Sequence, residues 1–78
     1  MTDYTPIDCG LHSEYELAIM RRQSLRLAWS DARGTIHIGI YHPLDLHTRE
    51  GEEFMVVADV DGTEIQIRLD HIMSYNPA

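Results

Sequence analysis

The stretch Leu25-Arg26-Leu27-Ala28-Trp29-Ser30, followed by the turn residues Asp31-Ala32-Arg33-Gly34 and then Ile36-His37-Ile38-Gly39-Ile40-Tyr41, decides the fold. Apolar residues recur at every second position on both sides of the turn, the period of a strand and not of a helix. The reading is a β-hairpin. Its inward set is taken as Leu25 and Leu27 on the first strand and Ile36, Ile38 and Ile40 on the second.

Downstream, residues 42–52 (HPLDLHTREGE) combine a proline, a glycine and mixed charges, and they read as a long loop with an irregular bend. The apolar FMVVADV run at 54–60 reads as a third strand, with Val56 facing in. Asp61-Gly62 is a hairpin signal of type I′. After it Ile65, Ile67 and Leu69 alternate with polar residues, Asp70-His71 interrupts, and Ile72 to Tyr75 forms a short fifth strand ended by Asn76-Pro77.

Upstream, residues 1–12 read as an extended lead-in. Ser13 followed by Glu16 has the spacing of a capping box, which predicts a helix over 13–22. Glu14 and Glu16 then fall in its first turn and Arg21 and Arg22 in its last, the charge order a helix dipole favours. Tyr15, Ala18 and Ile19 make one apolar stripe, while Leu17 and Met20 project elsewhere. One helix and five short antiparallel strands are the content of a mainly β fold, a small, strongly bent antiparallel barrel of the Sm-like or SH3-like kind. Curling the sheet hides both faces of the apolar strands, and the helix caps an open end. The barrel occupies residues 24–75, with Ile65, Ile67, Leu69 and Ile72 completing the inward set, and 1–78 is a single domain.

Length and charge narrow the function. The 78 residues carry 13 Asp or Glu against 6 Arg and no Lys, a formal net charge of −7. A hydrophobic share of 44% is too high for a disordered acidic tail, so the chain folds. Negative charge opposes nucleic-acid binding, whose non-specific affinity comes from basic residues on phosphates, and it favours a basic protein partner. The single Cys9 allows no internal disulfide, the first ten residues lack a signal-peptide pattern, and no stretch approaches the roughly 18 apolar residues of a membrane span. A cytoplasmic protein, monomeric and without a membrane partner, is the expectation.

No arrangement of residues argues for an enzyme. His42, Asp45 and His47 have the donor types of a zinc site, but three ligands within six loop residues and no Cys pair make a weak pattern. Cys9 lies among acids, which disfavour a thiolate nucleophile. Glu52-Glu53 and Asp59 with Asp61 read as solvated surface, and the scattered glycines form no phosphate-binding loop. No cofactor and no metal are expected. The alternative reading is an Sm-like RNA-binding module, in which the six arginines form a patch and Trp29, Tyr41, Phe54 and Tyr75 stack bases.

Tyr4, Pro6-Ile7-x-Cys9, Glu16-Leu17-Ala18, Asp45-Leu46, Arg49 and Ile67-Arg68-Leu69-Asp70-x-Ile72-x-Ser74 occur in an order and spacing that resembles the Rof (YaeO) family of Rho-binding antiterminators. The resemblance runs from about Tyr4 to Ser74. It departs from the family pattern at Gly10-Leu11-His12-Ser13 and at Glu50. The resemblance implies a small Sm-like barrel that binds the transcription termination factor Rho, a hexameric RNA-dependent helicase, on its RNA-binding N-terminal region and keeps RNA off it. Carried over by matching position, it implies a Rho-binding set of Asp8, Cys9, Ser13, Glu14 and Glu16 around the helix start, with Arg49 from the long loop.

Overall fold

In the computed structural model, which describes residues 4–78, the chain runs through a helix α1 (Cys9–Met20) and then β1 (Leu25–Ser30), β2 (Ile36–Arg49), β3 (Glu52–Ala58) and β4 (Glu64–Arg68). A 3₁₀ turn at Leu69–His71 leads into β5 (Ile72–Pro77). The strands form one antiparallel sheet in the order β4-β3-β2-β1-β5. β2 pairs with β1 along its first half and with β3 along its second, so one long strand carries the bend. The predicted mainly β architecture is present, but the barrel is loose: β4 and β5 end the sheet and the ring is not closed.

The turn between β1 and β2 sets which side of each strand faces in. Asp31 N–H donates to the Thr35 carbonyl at 2.9 Å, Gly34 N–H to the Asp31 carbonyl at 3.0 Å, and the Asp31 carboxylate accepts from the amides of Arg33 and Thr35. This turn places Ser30 opposite Ile36, and therefore Leu25 opposite Tyr41, Leu27 opposite Gly39 and Trp29 opposite His37. Directly paired residues share a face. The inward set on β2 is thus His37, Gly39 and Tyr41. Ile36, Ile38 and Ile40, expected inside, point outward and are 55%, 74% and 43% exposed. Gly39 leaves room that the Tyr41 ring occupies, and Tyr41 and Trp29 meet edge to face in the core.

Asp59 to Thr63 repeats this turn, with Gly62 N–H on the Asp59 carbonyl at 2.9 Å and the Asp59 carboxylate on the amides of Asp61 and Thr63. Both turns read Asp-x-x-Gly-Thr. The expected type I′ turn at Asp61-Gly62 is therefore absent, since Gly62 has a positive φ and Asp61 does not. Two consecutive positive φ values occur instead at Glu50 (53°) and Gly51 (79°), which close the β2–β3 hairpin with Arg49 opposite Glu52. A glutamate in the left-handed region is strained, whereas asparagine tolerates it. Glu50→Asn is expected to stabilise the fold by about 0.5–1 kcal/mol, read as a raised urea midpoint with unchanged slope.

Residues 42–49, expected as loop, are the second half of β2, and only Glu50 and Gly51 lie between β2 and β3. The alternation was masked by a bulge between Pro43 and Asp45, where Leu44 is the extra residue. Proline contributes no N–H and is accommodated where the ladder is already interrupted. On β3 the fully buried residues are Met55 and Val57, not the expected Val56.

The helix also departs from expectation. It begins at Cys9, capped by Asp8, whose carboxylate accepts the Leu11 amide at 2.8 Å, so the lead-in ends at 8 and not 12. Ser13 and Glu16 are helix interior and form no capping box, Glu14 and Glu16 lie beyond the first turn, and Arg21 is the C-cap with Arg22 following at φ 54°. Tyr15 and Ala18 are the buried stripe, and Leu17 and Met20 face outward. Residues 1–3 of the expected lead-in lie outside the described residues. Among those described, Tyr4 and Ile7 pack on the core, and no helix is long and apolar enough to cross a membrane.

The lead-in is strapped to the far end of the chain through Asp70. Its carboxylate accepts the Thr5 amide at 3.0 Å and two bonds from the Arg68 guanidinium, at 2.8 and 2.5 Å. Burial alone pushes this carboxyl up, but the bonds from Arg68 and Thr5 outweigh it and hold it below the ordinary carboxylate range. A carboxyl depressed in the fold contributes stability that is fully present above its unfolded value near 4 and is lost as pH falls through the lower folded value. Asp70→Asn is expected to cost about 1–2 kcal/mol at neutral pH and to reduce the loss of stability between pH 5 and pH 2, measured by urea unfolding across that range.

Candidate functional site

The first turns of α1 lie against β2, β3 and β5, and acidic side chains line both flanks. Glu14 and Glu16 are two residues apart and so roughly 200° around the helix. Glu14 accepts the Tyr75 hydroxyl on the β5 flank. That hydrogen bond pushes the Tyr75 phenol up. Tyr15 beneath it is raised to about 12, by burial first and then by Tyr75 and Glu14, and the two tyrosine rings meet edge to face at 5.2 Å.

On the other flank the imidazole of His12 bridges two carboxylates: Nδ1 is 2.9 Å from Glu16 Oε1 and Nε2 is 3.5 Å from Glu53 Oε1. Tyr4 donates its hydroxyl to the other oxygen of Glu53 at 3.0 Å, and burial, reinforced by Glu53, raises its phenol to about 12. Between the helix and the second half of β2 runs a groove of about 430 Å³. Glu16, Asp45 and Glu53 supply its charge, and Ile19, Met20 and Leu46 supply apolar wall. Three carboxylates beside an apolar wall suit a basic group carried on an aliphatic stem, as Arg and Lys are.

The residues expected to bind a partner divide accordingly. Asp8, Cys9, Ser13, Glu14 and Glu16 all lie exposed on the N-cap and first turns of α1, but Asp8 also caps the helix, and only Glu16 among them lines the groove. Arg49 does not join them. It ends β2 with its guanidinium 5.1 Å from the centre of the Phe54 ring and lines a separate hollow with Trp29 and Arg68. Asp45, Glu53 and His12 were missed as site residues. Reading 42–52 as loop hid the face that Asp45 shares with the helix, and Glu53 carried no signal beyond its place in an acidic pair.

His42, Asp45 and His47 do not assemble. His42 Nδ1 is 2.8 Å from the Ser24 hydroxyl, His47 packs edge-on against Phe54, and no group of three metal-ligating side chains comes together among the described residues.

No family model and no curated protein matches the chain. Among solved structures, it is similar to the proteasome accessory factor B/C (PafBC) of Arthrobacter aurescens, at 18% identity and a TM-score of 0.77 over 96% of the chain. The match covers 12% of that protein, so the likeness is that of one fold unit to a small part of a longer chain.

Proposed function

We propose that this chain is a non-enzymatic protein inhibitor of transcription termination factor Rho, acting in the cytoplasm by docking on Rho's RNA-binding N-terminal region and blocking RNA loading. The observation that carries the reading is the acidic, apolar-walled surface at the start of α1, where Glu14 flanks β5 and Glu16, Asp45 and Glu53 converge on the groove. A surface built to hold RNA phosphates is basic, and carboxylates spaced on a rigid scaffold compete for it. The resemblance to the Rof family in residue order from Tyr4 to Ser74 supports the same partner. The net charge of −7 adds long-range attraction that weakens as salt rises.

The test is gel filtration of the purified chain with Rho from the same source, at low and at physiological salt. A complex that releases RNA from Rho is the expected result. No complex at low salt overturns the reading. If instead the chain itself shifts labelled RNA near physiological salt, the Sm-like RNA-binding alternative replaces it.

A further inference from the structure

We propose that the hollow between the β1–β2 turn and the ends of β2, β3 and β4 binds a small monocarboxylic acid with an apolar body, where the Trp29 indole N–H, the Arg49 guanidinium and the Phe54 ring come together. Its volume is about 420 Å³. That lies within the roughly 300–1,000 Å³ of small-molecule sites. Strand pairing assembles it: Arg49 is in register with Glu52 and Phe54 with Arg68, and residues 52 and 54 are two apart on β3, so all four stand on one face. Thr48 and Glu53, which line the acidic groove, stand on the other. Phe54 is buried yet lies outside the main core cluster, while Trp29 and Ile67 reach the hollow from that core. The hollow shares no lining residue with the groove, so the proposal is independent of the Rho reading.

What the lining leaves unmet is donors. Trp29 is 7% exposed, and no acceptor among the described residues reaches its indole N–H. Buried polar groups are nearly always hydrogen-bonded, so this N–H marks a place for an acceptor that the chain does not supply. Arg49 is exposed, its guanidinium rests on the Phe54 ring at 5.1 Å from the centre, and no carboxylate among the described residues pairs with it. The acids of the lining are already engaged. Asp31 accepts from its turn amides and lies 2.8 Å from His37 Nε2, and Glu52 turns to Arg68 at 3.8 Å. Arg68 is in turn committed to Asp70. A ligand therefore has to bring acceptors, and the two oxygens of a carboxylate match a guanidinium fork. Two carboxylates in the lining repel further negative charge, which favours a singly charged ligand over a phosphate dianion. Its carboxylate accepts from Arg49 and from the Trp29 indole, with a local shift of the side chains that close Nε1 off from solvent, and its body lies against Phe54 and Ile67.

Trp29 is the single tryptophan, so its indole N–H gives one signal in a proton–nitrogen correlation spectrum and reads the site directly. Titration of the full chain with sodium benzoate at constant ionic strength is expected to shift that signal saturably, with a dissociation constant of about 1 mM for a ligand of this size. Benzyl alcohol, the neutral analogue, and inorganic phosphate should each bind at least about 10-fold more weakly. Arg49→Gln should weaken benzoate by roughly 10-fold or more, and Arg49→Lys, which keeps the charge and loses the fork, by about 3-fold. Met20→Ala in the groove should leave it unchanged. The absence of a saturable shift up to about 20 mM benzoate overturns the proposal. So does equal binding of benzyl alcohol, tighter binding of phosphate, or a benzoate affinity that survives Arg49→Gln.

Discussion

Leu27→Ala is expected to remove about 3–4 kcal/mol of stability, a large part of the roughly 4–12 kcal/mol available to a domain of this size. Leu27 is 0% exposed at the centre of β1, flanked by β2 and β5, and its direct partners are Gly39 and Tyr75. Gly39 has no side chain to move into the space the leucine vacates. The cavity persists and the loss falls toward the upper part of the usual range. Equilibrium urea unfolding should show the midpoint falling steeply with the slope nearly unchanged. Ile38→Ala, on the neighbouring strand and 74% exposed, should cost less than about 0.5 kcal/mol. The reverse order would mean that the two faces of the hairpin have been exchanged.

Charge reversal at Glu14 and Glu16 together should weaken the proposed complex with Rho by roughly 100-fold, because like charges brought into an interface cost several kcal/mol. Each replacement by lysine adds two units of charge, taking the chain from −7 to −3. Neither residue caps the helix, so both are better targets than Asp8, whose loss would unseat the helix start at the same time. The control is Asp61→Lys with Glu64→Lys at the β3–β4 turn, which makes the same change in net charge away from the helix. That pair alters the long-range field alone, and a loss of only a few-fold in the association rate is expected. Titration calorimetry of both double variants separates the outcomes. Equal losses would show that charge acts only at a distance and that the docking surface lies elsewhere than the start of α1.

Local pattern carried much of the architecture. The period of two in LRLAWS, IHIGIY and EIQIRL identified three strands, the apolar FMVVA run a fourth, and the short segment after Asp70-His71 a fifth. The site was less legible. Glu14 and Glu16 were found through resemblance and charge, but the partners that give Glu16 a groove come from β2 and β3, which approach the helix only in the folded chain. Arg49 was joined to the helix residues by the family resemblance, as part of an expected loop over 42–52. In a strand, neighbouring side chains point to opposite faces, and Arg49 lies against Phe54 while Thr48 faces the groove.

The sequence by itself determined that five strands and one helix would form, that the chain would be acidic, and that turns would fall after Ser30 and close to Asp61-Gly62. Only the tertiary structure decided which face of the hairpin became the core. Alternation with a period of two is symmetric between its two faces, and isoleucine outranks histidine, glycine and tyrosine on any scale of burial taken residue by residue. The choice belongs to the turn. Five residues lie between the paired Ser30 and Ile36, and with that spacing Leu25, Leu27 and Trp29 share a face with Tyr41, Gly39 and His37. Leucine and tryptophan on β1 then fix the inner side for both strands, and the isoleucines are left facing out.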